Sequence, residues 1–101
     1  RSLKEEVFGP VAVCMPFEDY DDVIMKANQT EFGLGASIWT QDPIIQKQVI
    51  SDIDSGIVAI NSMVKSDPAQ PFGGRKNSGI GIELGIDGAM SFTNYKTIIT
   101  G

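Results

Sequence analysis

Short apolar runs and helical stripes take turns along this chain. Val11 to Phe17 ("VAVCMPF") is an apolar run rich in strand formers and predicts a buried strand. In the next segment Tyr20, Val23, Ile24 and Ala27 fall at i, i+3, i+4 and i+7, the spacing of one helical face. Asp19 is the expected N-cap, and the acids around it suit the positive end of a helix dipole. The glycines of "TEFGLG" break that pattern, and Ala36 to Thr40 ("ASIWT") predicts a second strand. A second helix follows, with Asp42 as cap, Pro43 at the first helical position and Gly56 as stop. Its expected buried stripe is Ile45, Val49 and Ile53. Ile57 to Ser62 ("IVAINS") is apolar enough for a strand covered on both faces.

The order strand, helix, strand, helix, strand predicts an α/β fold. Its core would be a βαβαβ parallel sheet with right-handed crossovers and flanking helices. Residues 66–85 ("SDPAQPFGGRKNSGIGIELG") interrupt the regular pattern with five glycines and two prolines. A long irregular loop inside a small domain is usually functional or disordered. This one leaves the carboxyl end of a predicted parallel strand, where open α/β sheets place their ligands. Beyond it, "LGIDGAMSF" predicts a short helix weakened by glycine, and Asn94 to Thr100 ("NYKTIIT") alternates as a final strand. No strand of the predicted sheet is left to pair with it, so it reads as a docking edge. The expected division is residues 1–92 as one unit and residues 93–101 as an oligomerisation strand.

Composition narrows the chemistry. Of 101 residues, 42% are hydrophobic and 21% charged, the balance of a globular chain. The net charge of −5, with acids gathered at Glu18, Asp19, Asp21 and Asp22, argues against a nucleic-acid partner. The chain has no histidine, which excludes a histidine triad or a histidine metal site within it. Its one cysteine forbids an internal disulfide and favours a cytoplasmic setting. No apolar run reaches membrane-spanning length, and no signal peptide is visible. The absence of an initiator methionine suggests a processed chain or a fragment.

The glycine loop fails both phosphate motifs. Gly79 and Gly81 begin a G-x-G pattern, but Leu84 holds the third position and no strand precedes it. Gly74 and Gly79 have P-loop spacing, but Ile80 stands where lysine is required. Cys14 has no cation or helix N-terminus nearby in sequence to make a thiolate, and reads as a small core residue.

Two separated stretches, "EEVFGP" (Glu5 to Pro10) and "PFGGRKNSGIG" (Pro71 to Gly81), together resemble the aldehyde dehydrogenase superfamily. "ANQTEFGLGASIWTQD" and "GIVAIN" resemble the family's intervening elements, in order and spacing. "VKSDPAQPFGG" resembles the succinate-semialdehyde dehydrogenase branch. The resemblance covers nearly the whole chain. It implies the C-terminal portion of a longer enzyme that uses NAD or NADP and oxidises an aldehyde to the acid. The remainder of that enzyme and a homo-oligomer, dimer or tetramer, are the implied partners.

The resemblance also implies roles for particular residues. Glu6 would accept the ribose hydroxyls of the nicotinamide half, a task suited to a carboxylate. Phe8 would lie against the nicotinamide, and Gly9 and Pro10 would shape the turn. Phe72 would line the aldehyde tunnel, Ser66 would contact a distal carboxylate, and Lys65 would add charge. The nucleophilic cysteine and general-base glutamate of the family have no counterpart here, so this chain alone is expected to be inactive. Ile82 replaces the arginine that relatives usually carry after S-G-x-G. Read from the residues alone, a free-standing α/β interaction module stays open. A small flavodoxin-like nucleotide binder is disfavoured by the failed phosphate motifs.

Overall fold

In the computed structural model, residues 5–101 are described. The first two helices fall where the caps dictate. The first, α1, runs from Tyr20 to Asn28, and the Asp19 carboxylate accepts from the backbone N–H of Asp22 at 2.9 Å. Lys26 closes its last turn, donating from Nζ to Asp22 and to the Pro16 carbonyl. The Tyr20 hydroxyl donates to Asp52 at 2.7 Å. Partial burial and that hydrogen bond push its pKa up to about 12, so the phenol stays a neutral donor across the physiological range.

Two short strands follow α1: β1, Phe32–Gly33, and β2, Gly35–Ile38. The second helix, α2, spans Pro43–Asp52. Asp42 accepts from the N–H groups of Ile44 at 2.8 Å and Ile45 at 3.4 Å, and Pro43 fills the position that needs no donor. Asp42→Ala is expected to destabilise the fold by about 1 kcal/mol, read by urea denaturation, because two helix-end donors lose their acceptor. A loss below about 0.3 kcal/mol would contradict the cap's role.

Strand β3, Ile57–Ile60, returns parallel to β2 with Gly35 opposite Ile57 and Ile38 opposite Ile60. This β2–α2–β3 unit is the expected parallel crossover. Asn61 prolongs it by a different means. Its backbone N–H donates to the Ile38 carbonyl at 2.7 Å. Its side chain then pairs with both backbone groups of Thr40: Oδ1 accepts from N–H at 2.9 Å, and Nδ2 donates to the carbonyl at 3.0 Å. To do this Asn61 adopts a φ of 49°, a region that asparagine tolerates better than most residues.

The glycine loop carries more structure than its composition suggests. Arg75–Lys76 forms a strand, β4, that pairs antiparallel with β1, placing Lys76 opposite Phe32 and Arg75 opposite Gly33. Phe72 and Glu83 form a further antiparallel bridge with reciprocal hydrogen bonds of 2.7 and 2.8 Å. Helix α3 spans Gly85–Met90. Backbone also passes close to backbone at Gly56, where an added Cβ would overlap the Gly73 carbonyl oxygen and lie 2.8 Å from its carbon. The glycine is required there by space.

Three expectations are corrected. The described sheets are two separate pairs, one parallel and one antiparallel, and no single three-stranded parallel sheet forms. Val11 to Phe17 has strand composition but pairs with no described strand, and its apolar side chains are exposed. Cys14 within it is exposed as well, so it is not a core residue of this chain. Asn94 to Thr100, for which no pairing strand in this chain was expected, joins no ladder, and Tyr95 and Ile99 are exposed. The cause is common to all three: strand composition supplies a willingness to pair, but a ladder needs a second edge at hydrogen-bonding distance.

Burial is sparse. Val49 is the only buried hydrophobic residue among the described ones. Ile45 and Ile53 of the expected stripe are half-buried and line, with Tyr20, Val23 and Ile24, an apolar trough between α1 and α2. The radius of gyration is 17.4 Å, against about 13 Å for a self-contained domain of this length.

Candidate functional site

The site forms where the turn after β4 meets the segment between α1 and β2. Several hydrogen bonds join them. The Asn77 N–H donates to the Glu31 carbonyl at 3.0 Å, and the Gly33 N–H donates to Ser78 Oγ at 2.9 Å. Lys76 Nζ donates to the carbonyls of Asn28 at 2.9 Å and Thr30 at 3.1 Å. The result is a ridge that carries Leu34 and Ser78, with a concavity on either side.

On one side lies a hollow of about 390 Å³ that includes Glu6, Thr30, Gly33, Asn77 and Ser78 in its wall. A carboxylate, two hydroxyls and an amide face one space there, and no described cationic side chain lines it. This donor set fits a polyhydroxyl group such as a ribose, with the carboxylate as acceptor for paired hydroxyls. It does not fit a phosphate, which needs cations or a row of free N–H groups.

On the other side is a hollow of about 490 Å³ that includes Phe72, Ile82, Ser91 and Phe92 in its wall. Leu34 and Ser78 line both hollows. The bridge to Glu83 fixes the Phe72 backbone, so its half-buried ring is presented from a paired segment. Ile82 gives this hollow an apolar side.

The structure therefore brings Glu6 and Phe72 to opposite sides of one ridge. It leaves the other candidates apart. Phe8 is 92% exposed and lines neither hollow. Ser66 and Lys65 are exposed on the loop before an Asp67 turn, in which the Asp67 carboxylate accepts from the Ala69 N–H at 2.9 Å. Sequence reasoning overlooked Leu34, Ser78 and the anchoring role of Lys76. The adjacent cations of the loop were the visible signal, but the partners of Lys76 lie 46 and 48 residues away. Among the described residues, no group of three or more His, Cys, Asp and Glu side chains is placed to hold a metal. No helix among them is long and apolar enough to cross a membrane.

The sequence profile of the aldehyde dehydrogenase family matches residues 1–98. The chain belongs to the aldehyde dehydrogenase family. Among curated relatives it is 50% identical over 97 residues to a succinate-semialdehyde dehydrogenase [NADP(+)] of Mycobacterium ulcerans. It is 48% identical over 97 residues to a probable succinate-semialdehyde dehydrogenase [NADP(+)] of Synechocystis. Each match covers 96% of this chain and 21% of the relative, so the chain spans about a fifth of their length.

Solved structures agree in shape. An NAD-dependent aldehyde dehydrogenase from Sinorhizobium meliloti superposes with a TM-score of 0.89 at 40% identity, over 93% of this chain and 19% of that one. An NAD+ complex of an aldehyde dehydrogenase from Bacillus cereus gives 0.86 at 44% identity, over 90% and 18%.

Proposed function

We propose that this chain is the C-terminal part of the catalytic domain of an NAD- or NADP-dependent aldehyde dehydrogenase that oxidises succinate semialdehyde to the acid. The observation that carries the reading is the shared ridge of Leu34 and Ser78. Hydride transfer requires the nicotinamide and the aldehyde to adjoin, and the Glu6 and Phe72 hollows do adjoin. Glu6 holds the ribose hydroxyls of the nicotinamide half. Phe8 presents its exposed ring to the nicotinamide face. Phe72 lines the aldehyde approach, and Ser66 reaches the distal carboxylate of the substrate, with Lys65 adding positive charge.

The bound dinucleotide would supply the hydride acceptor. The nucleophilic cysteine and the general base come from the rest of the enzyme, so this chain alone turns over no aldehyde. Residues 93–101 join a second subunit in a dimer or tetramer, a reading supported by the unpaired, exposed Tyr95, Ile98 and Ile99.

The test is a substrate comparison in the enzyme that carries this chain. Succinate semialdehyde is expected to exceed butanal in kcat/KM by at least about tenfold, the scale of one charge-assisted hydrogen bond to the distal carboxylate. Ser66→Ala should shrink that preference. Equal kcat/KM for the two aldehydes would refute the acidic substrate. Absence of cofactor reduction with any aldehyde would refute the activity itself.

A further inference from the structure

Beside the hydrogen bonds of Asn77 and Ser78, one cation anchors the ridge between the two hollows. Lys76 has a φ of 53°, a backbone region that costs a non-glycine residue about 1 kcal/mol or more and persists only where surroundings fix it. The surroundings are specific. Its ammonium sits on the carbonyls of Asn28, the last residue of α1, and Thr30, where the helix dipole favours positive charge. It also faces the Asp54 carboxylate at 3.5 Å. Asp54 is tied to the same place, its N–H donating to Asn28 Oδ1 at 2.8 Å, while Asn28 Nδ2 donates to the Asp52 carbonyl. The end of α1, the end of α2 and the turn after β4 thus meet at one node. The side chain of Lys76 is 22% exposed, against 64% for its neighbour Arg75, which pairs with the same Asp54 at 3.4 Å from a far more solvated position.

We propose that Lys76 is a positioning residue. Its ammonium, seated on the carbonyls at the end of α1, holds Asn77 and Ser78 in place as the wall between the nucleotide hollow and the aldehyde hollow. The two residues that follow Lys76 have their own hydrogen bonds: Asn77 donates from its N–H to the Glu31 carbonyl and, at 3.5 Å, from its exposed amide to the Glu31 carboxylate, and Ser78 Oγ accepts from the Gly33 N–H. Charge-assisted bonds to two carbonyls are the stronger hold. Lys76 touches neither ligand. Its effect is on where Ser78 stands, and therefore on binding in both hollows more than on the chemical step. The inference rests on the reading of the two hollows as nucleotide and aldehyde sites.

The test uses Lys76→Met and Lys76→Arg in the enzyme that carries this chain. Methionine keeps an unbranched apolar stem and loses the charge and donors; arginine keeps both. Amide hydrogen exchange over residues 29–34 and 74–81 should be about tenfold faster in Lys76→Met, with α2 unchanged. The KM values for dinucleotide and aldehyde should both rise about tenfold, with kcat within about threefold of the wild type. Arginine should restore most of each change.

Unchanged exchange in the two segments would overturn the proposal. So would faster exchange spread equally through α2, or a loss confined to kcat. The underlying reading of the hollows fails separately: wild-type enzyme would then show no dinucleotide binding in a fluorescence titration. The clamp would still be judged on the exchange data alone.

Discussion

Gly56→Ala in the enzyme that carries this chain is expected to cost about 3 kcal/mol or more and to disturb the glycine loop that lines the Phe72 hollow. The added methyl would overlap the carbonyl oxygen of Gly73, and its next neighbours are the Gly73 carbonyl carbon at 2.8 Å and Gly74 Cα at 3.1 Å. All three are backbone atoms, so no side chain can swing away. Gly73 cannot retreat freely either, because a Cβ on it would lie 2.7 Å from the Gly81 carbonyl oxygen, so the loop is already tight on its far side. The next residue, Phe72, is bridged to Glu83. Moving the loop therefore strains that bridge and shifts the Phe72 ring. Chemical denaturation gives the stability, and the KM for the aldehyde gives the displacement. Gly101→Ala, with nothing within 4 Å of the added methyl, is the control. A Gly56→Ala enzyme within about 1 kcal/mol of wild type would mean that the approach of the two backbones is not as close as described here.

Glu6→Gln should slow hydride transfer in single turnover by about a hundredfold while leaving the melting temperature unchanged. Glutamine preserves the shape of the side chain and loses the charge-assisted acceptance of the paired ribose hydroxyls. Glu6 is exposed at the rim of its hollow, so the fold has little invested in it. The expected signature is a rate defect with intact structure and weakened dinucleotide binding. Wild-type rates, or a melting temperature low enough to account for the whole defect, would remove Glu6 from the ribose role.

The helices were legible because their signals are local. Asp19 and Asp42 cap from within three residues of the donors they satisfy. The β2–α2–β3 crossover was legible because two apolar runs flank a well-marked helix. The antiparallel pair was not, since two residues on each strand are too few to show a period. Val11 to Phe17 misled for the opposite reason, and Asn94 to Thr100 has the same kind of composition. Their composition is that of strands, but pairing is a property of two segments and neither finds its second one among the described residues. The motifs pointed to Glu6 and Phe72 separately. That both face the ridge of Leu34 and Ser78 follows from hydrogen bonds spanning about half the chain, such as Gly33 to Ser78, 45 residues apart. Ser66 remains the candidate that the fold does least to place.

The Asn61 amide has a consequence for how the two parallel strands find each other. Strands of four residues carrying Ala, Ser, Val and Ile offer little to distinguish one alignment from another. A slip by one residue would turn the side chains to the wrong faces, but a slip by two would preserve them. The hook at Thr40 resists the second error. A two-residue slip carries Asn61 roughly 6.6 Å along the strand, out of reach of both Thr40 backbone groups. A side chain that imitates a backbone can be satisfied at one alignment only. One amide thereby helps to fix the alignment of the sheet and the point from which the loop toward Ser66 and Phe72 departs.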